Sequence, residues 1–424
     1  MAHTLAEKIL LNHSDVGDLS PGDIVSIRVD LVLANDVSGP VAFTALEKMG
    51  AETVFDPARV VMVADHFMPA KDIRSAELQK RLREWSHEHG VHFFDQGRGG
   101  IEHAVLIEEG FILPGMVITG GDSHTCTYGA LGAFGTGLGS TDIAGCLALG
   151  EFWQGVPGTI LVEVSGTKGP FVSGKDIILA VLSQLGVAGG TDKVLEFVGP
   201  GAEALSIDDR RAVANMAVEA GAETGIFPAD RITAEYLDGR TDRTWSALRS
   251  DPDATYARRL RIDLEALGPL VAKPPSPGDV APVDDVVGRR IDQVYIGNCA
   301  NGTITDLRQA AMVLRDQMVH PGTRAIIVPS SQRVYRQALE EGLLDVFIDA
   351  GAVVSTPTCG ACFGGHMGIL APGESAVATT NRNFTGRMGS DRADVYLASA
   401  WVAAAAAVTG EITNPADVMG EGPT

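Results

Sequence analysis

From residue 293 onward, apolar and polar positions alternate with two periods. The run "QVYI" (293–296) reads as a short strand ending at Gly297, and residues 303–317 place Leu307, Ala310, Ala311 and Leu314 at helical spacing. "RAIIV" reads as a second strand, "SQRVYRQALEEGLLDVFIDAG" as one helix, and "AVVST" and "SAVATT" as further strands. This alternation predicts a mostly parallel sheet with helices on its faces. Nearer the N-terminus, "VVMVADHF" and "GMVITGGDSHTCTYG" each run from a strand into a polar loop, and the first residues read as a short helix. "LASAWVAAAAAV" (397–408) is too short to cross a bilayer and reads as a core helix. "VAKPPSPGDVAPVDD" (271–285) holds four prolines and no periodicity, so the main domain boundary is expected there.

Parallel sheets gather ligands at the loops leaving the carboxyl ends of their strands. Those loops carry the candidate chemistry. Cys299 lies in "GNCANG", Cys359 and Cys362 in "PTCGACFGGH", and Arg382 and Arg387 in "NRNFTGR". In the N-terminal part, Asp65 and His66 follow one strand, and Asp122, Ser123 and His124 follow another. Charged and metal-binding side chains thus collect at strand ends in both halves, which predicts a cleft between domains.

Composition narrows the class. With 424 residues, 50 glycines and a hydrophobic fraction of 45%, the chain has material for two or three globular domains. A formal charge of −21 disfavours nucleic acid and anionic membranes as partners, so an anionic substrate needs a few local arginines. The N-terminus lacks a signal-peptide pattern and nothing suggests export, so the expected compartment is cytoplasmic.

Five cysteines, an odd number, argue against a disulfide framework. Cys146 lies in an apolar helical stretch and reads as a buried core thiol, while Cys126 sits near the acid–base loop. The pair Cys359 and Cys362, with Cys299, suits either a zinc site completed by His366 or an iron–sulfur cluster with three thiolate ligands. Spacing alone leaves these two open. A cluster held by three cysteines keeps one iron free as a Lewis acid. Two other segments are set aside. "GPFVSGKD" (169–176) has Asp176 where a phosphate loop needs Ser or Thr and reads as a helix-capping turn; "GTGLGS" (135–140) reads as close backbone packing rather than a dinucleotide loop.

Taken together and in order, "ADHF", "GIEH", "GDSHTCTYGALGAFGTGLGSTD", "NMAVEAGAETGIFP", "IGNCANG", "PTCGACFGGH" and "NRNFTGRMGS" resemble the aconitase superfamily, and within it the isopropylmalate isomerase branch. The resemblance spans nearly the whole chain and favours the cluster over zinc. It implies an α/β fold of three α/β/α domains around a cluster-containing cleft, with domains 1 and 2 over residues 1–282, domain 3 over 283–424, and the swivel domain absent. It implies an enzyme that moves a hydroxyl between neighbouring carbons of a malate-type dicarboxylate by dehydration and rehydration. Homocitrate, citramalate and dimethylmalate hydro-lyases, or a non-catalytic relative stapled by a metal, are the alternatives.

Residue by residue, Cys299, Cys359 and Cys362 match the ligands of a [4Fe-4S] cluster with one open iron, and Asn215 and Asn381 match residues near it. Asp65 with His66, His103 with Asp122, and His124 with Glu219 match carboxylate–histidine pairs. Asn35, Ser123, Arg382 and Arg387 match positions that hold substrate. Taken singly, a histidine in a glycine-rich loop or a glutamate in a helix is more often structural; the ordered set raises them together. The chain departs from the family at Asn298 and Ala300, which flank the first cluster cysteine where serine and threonine are usual. The family's serine base lies on the swivel domain, so the resemblance implies a separate small subunit that supplies it.

Overall fold

The computed structural model describes residues 1–420. The chain folds into two compact units, one comprising residues 1–65, 70–164 and 188–261, the other 66–69, 165–187 and 262–424. Among the described residues, no helix is long and apolar enough to cross a membrane.

In the first unit a five-stranded sheet is parallel throughout. Its spatial order is His92–Phe94, Val60–Val63, Leu31–Asn35, Val117–Gly120, Phe134–Gly137. Numbered by chain order the strands run 3-2-1-4-5, so the winding reverses between Leu31–Asn35 and Val117–Gly120. Both of these strands are buried along their whole length, as expected for a sheet covered on both faces. At such a switch point, loops on either side leave in opposite directions and open a crevice at the carboxyl edge. Asn35 and Asp122 stand at that edge. A four-stranded sheet, Thr224–Ile226, Lys193–Val198, Gly158–Ser165 and Arg258–Asp263, and an antiparallel ribbon, Ile24–Arg28 with Glu151–Gly155, complete the strands.

The second unit repeats this winding. Five parallel strands lie in the order Val353–Val354, Arg324–Ile327, Gln293–Ile296, Ser375–Ala378, Asp394–Ala398, which is again 3-2-1-4-5. Its switch point falls between Gln293–Ile296 and Ser375–Ala378, the strands that lead to Cys299 and to Asn381. Val294 and Ile296 face a core built with Leu307, Ala310, Ala311 and Leu314 of the helix Ile304–Leu314, which a Thr303–Asp306 capping box starts. The helix Ala400–Thr409 is buried in the same core, as its composition predicts.

Two expectations need correction. The proline-rich stretch is no seam between the units: Leu270–Ala272 and Val280–Pro282 add antiparallel strands to the second sheet beside Asp394–Ala398. Proline is tolerated there because Val280–Pro282 is an edge strand with one side free of ladder bonds. The helix expected over "SQRVYRQALEEGLLDVFIDAG" is two helices, Gln332–Glu340 and Leu343–Asp349, separated where Gly342 takes φ +70°. Both glycine-rich segments behave as expected. Ser173 and Asp176 form a capping box on the helix Gly174–Leu185, and a side chain at Gly137 would meet the Asp122 carbonyl at 2.5 Å.

Candidate active site

In the first unit, Asp122 begins a run of helical turns, Ser123–Leu131, and its Oδ1 accepts the His124 N–H at 2.7 Å. The same oxygen stands 3.0 Å from His103 Nε2 and 3.4 Å from His124 Nδ1. Burial alone would push this carboxyl up, but the hydrogen bonds and charges of His103 and His124 hold it well below the usual carboxylate range. His103 is further fixed by Tyr128, whose hydroxyl lies 3.2 Å from Nδ1. His124 Nε2 is 3.0 Å from Glu219 Oε1, which a short turn, Met216–Ala220, presents after the helix Ile207–Asn215. Glu219 is buried, with a side chain only 2% exposed, whereas the side chain of Asp122 is 21% exposed.

Around these pairs the loops are locked together. Asn215 donates to Thr127 Oγ1 at 2.7 Å, Thr127 Oγ1 donates to the His124 carbonyl at 2.6 Å, and the Cys126 thiol donates to the Asn215 carbonyl at 3.1 Å. Cys126 is thus a buried fastener of the turn that carries His124. Cys146 is buried in the helix Ser140–Leu149, and burial pushes its thiol up to about 11, as befits an inert core residue. Ser123 Oγ lies 3.5 Å from His124 Nδ1.

Asn35 ends its strand and donates to Glu102 Oε1 at 2.9 Å; Asp65 Oδ2 accepts the Glu102 N–H at 2.8 Å. Glu102 also stands 3.7 Å from His103 Nε2 and is buried. Reasoning from the sequence missed Glu102, although "GIEH" places it next to His103. Its role as the link between Asn35, Asp65 and His103 depends on tertiary contacts.

The second unit holds three of the cysteines. Cys299, Cys359 and Cys362 all lie in it, the first and last buried. Asn381 donates to Cys299 Sγ at 3.3 Å, and Asn298, one of the two departures from the family pattern beside Cys299, donates to Asn381 Oδ1. The Arg387 Nε donates to the Cys362 carbonyl at 2.8 Å, so this guanidinium is anchored on the cysteine loop itself. Arg382 follows Asn381 at the same strand end, and Lys175, fully buried, donates to the Thr379 and Thr380 carbonyls just before it. His66 belongs to this unit: its ring meets Phe363 edge-on at 4.9 Å, and Thr358 Oγ1 donates to its carbonyl at 3.5 Å.

The model of the aconitase family (aconitate hydratase) matches residues 7–290 and 285–410. The chain belongs to the aconitase family. It is 70% identical over 421 residues to 3-isopropylmalate dehydratase large subunit 2 of Rubrobacter xylanophilus, covering 99% of each chain. It is 51% identical to the 3-isopropylmalate dehydratase large subunits of Desulfitobacterium hafniense and Moorella thermoacetica, covering 99% of this chain and 100% of each relative. The fold is shared with aconitase X of Thermococcus kodakaraensis in its holo form, at a TM-score of 0.50 and 13% identity, covering 93% of this chain and 97% of that one.

The aconitase family implies a four-iron, four-sulfur cluster. Cysteine thiolates are the donors such a group takes, and Cys299, Cys359 and Cys362 lie in loops of the second unit, with the Asn381 amide on Cys299 Sγ. His366, the fourth ligand considered for zinc, places Nε2 2.7 Å from the Pro69 carbonyl.

Proposed function

We propose that the chain is the iron–sulfur large subunit of a 3-isopropylmalate dehydratase, a cytoplasmic hydro-lyase that isomerises 2-isopropylmalate and 3-isopropylmalate by dehydration and rehydration in leucine biosynthesis. The observation that carries this reading is the near full-length identity with large subunits of that name. Asp65, His66, His103, Asp122, His124 and Glu219 are assigned to proton transfer, and Asn35, Ser123, Arg382 and Arg387 to holding substrate. Cys299, Cys359 and Cys362 are assigned as thiolate ligands of the cluster, with one iron left open and Asn215 and Asn381 as its polar neighbours. The same reading divides the chain into domains 1 and 2 over residues 1–282 and domain 3 over 283–424; residues 66–69, 165–187 and 262–282 fold with the third in the second compact unit.

What the chain's own residues do follows from their partners. A histidine facing a carboxylate has its tautomer fixed and its cationic form stabilised, so it can hold a proton for a departing hydroxyl and take it back on rehydration. Two such histidines share the Asp122 carboxylate, and Glu219 braces the second. When bound, a cluster with an open iron supplies a Lewis acid to the leaving oxygen. Arginine offers a planar bidentate fork to the substrate carboxylates, where charge grows as the carbon proton leaves. The carbon-proton base is assigned to a separate small swivel-domain subunit, consistent with relatives named as large subunits.

The test is co-purification with a small subunit followed by anaerobic reconstitution with iron and sulfide. Turnover of 2-isopropylmalate is the expected outcome. Activity confined to citrate, homocitrate, citramalate or dimethylmalate overturns the substrate assignment, and one zinc without sulfide overturns the cluster.

A further inference from the structure

The strand Gln293–Ile296 is central in its sheet, and its side chains alternate between faces. Val294 and Ile296 enter the helix-side core; Tyr295 points to the other face, where the cysteine loop covers it. Gln293, on the same side, donates to the Gly368 carbonyl at 2.6 Å and ties that loop down. The loop lies so close that a Cβ at Gly368 would meet the Tyr295 ring at 3.4 Å, and one at Gly360 would meet the hydroxyl at 2.4 Å. Gly360 sits between the two cysteines and takes φ +59°.

Tyr295 is fully buried, and no group of the chain accepts the proton of its hydroxyl. The neighbouring Ala361 N–H can only donate towards that oxygen, so it provides no acceptor for the hydroxyl proton. Burying a hydroxyl without an acceptor is unfavourable, and folded proteins seldom keep one unless something absent from the bare chain completes it. The loop segment against it is the one that carries Cys359 and Cys362, with Gly360 between them. A hydroxyl at the floor of this loop, screened from water, is placed to meet sulfur. Phenylalanine would fill the same space without the polar atom.

We propose that Tyr295 is a tuning residue of the cluster site, its hydroxyl donating a hydrogen bond to a cysteinate sulfur or an inorganic sulfide. The inference rests on the reading of Cys359 and Cys362 as cluster ligands. A donor to sulfur stabilises the more negative, reduced cluster and raises its potential. In the apo chain the same hydroxyl is a burden.

The test compares wild type and Tyr295→Phe, each reconstituted anaerobically with iron and sulfide. The apo variant should melt at the same temperature as wild type or higher, because it sheds an unpaired polar atom. Once loaded, its cluster should be harder to reduce, with the reduced-to-oxidised ratio at fixed potential falling about tenfold, equivalent to 59 mV for a one-electron couple. Resonance Raman iron–sulfur bands of wild type should shift in deuterium oxide, and the variant should lose part of that shift. Equal potentials and equal deuterium shifts in two loaded, folded proteins overturn the inference. Wild type that takes up no iron and sulfide overturns the cluster assignment instead, so the two failures are distinguishable.

Discussion

Glu219 Oε1 stands 3.0 Å from His124 Nε2, although 95 residues separate them. The glutamate is buried on a turn that follows a helix, with the His124 imidazole facing its carboxyl group. Glu219→Gln keeps the shape and removes the charge. Turnover should fall by about 10²-fold or more, the scale of a lost acid–base group, while KM and melting temperature change little. Steady-state kinetics of the reconstituted two-subunit enzyme decide it. Undiminished kcat would remove Glu219 from the proton machinery.

Asp122 serves two histidines at once. Its carboxyl is held well below the ordinary range, so it stays ionised through any pH at which the protein works. The stability it confers is present above its ordinary value of 3.8 and fades only as the pH falls through the lowered native value. Asp122→Asn should therefore lower kcat by about 10²–10³-fold without introducing a new limb near neutral pH in the rate profile. The asparagine oxygen can still accept the His124 N–H, so the cap survives and loss of stability should stay near 1 kcal/mol. A variant with wild-type kcat would leave this carboxylate a purely structural role.

These relationships show which parts of the site are legible along the chain. Apolar runs ending in polar, glycine-rich loops announce strand ends, and Cys299, Asp122 and Asn381 are found there because a parallel sheet directs every such loop to one edge. The sheet order is not written in the periodicity, since a buried strand reads the same at any place in the sheet; the matching 3-2-1-4-5 windings emerge only from pairing. Glu102 and Tyr295 were invisible for a related reason. One looks like the first turn of an ordinary helix and the other like a core aromatic, and both acquire meaning from groups far away in sequence. The prolines of 271–285 misled because an edge strand tolerates them as readily as a linker does.

A pH-dependent stability should trace to His13 and Asp30, away from the candidate site. His13 Nε2 lies 2.7 Å from Asp30 Oδ2, and Nδ1 lies 2.7 Å from the Ile9 carbonyl. Burial would lower the imidazole, but Asp30 raises it above its ordinary 6.5; burial would raise Asp30, but His13 brings it below 3.8. The His13 contribution is full below 6.5 and fades as pH rises through the raised native value. That of Asp30 is full above 3.8 and fades as pH falls through the lowered one. The difference in melting temperature between wild type and His13→Gln should be largest between pH 3.8 and 6.5 and shrink as the pH rises beyond 6.5 through the raised native value, reflecting about 1 kcal/mol. A difference independent of pH would show that the pair is held by packing alone.

Lys175 gives the last expectation. Its segment resembles a phosphate loop, yet the ammonium is fully buried and donates to the carbonyls of Thr379 at 2.9 Å and Thr380 at 2.7 Å. Those carbonyls end the strand Ser375–Ala378 just before Asn381, which bonds Cys299 Sγ, and Arg382. Lys175 thereby fixes where the amide and the guanidinium emerge. Lys175→Met fills similar space and leaves both buried carbonyls without this donor, which should cost about 2–4 kcal/mol in stability. If the lysine positions the strand end, the folded variant should also show a higher KM for the dicarboxylate and a shifted cluster spectrum. Arg382→Lys should raise KM alone, because a point charge replaces the fork without disturbing Asn381. Calorimetry and spectroscopy on both variants separate the two effects. A Lys175→Met protein that is less stable but unchanged in KM and cluster spectrum would confine this lysine to holding the fold.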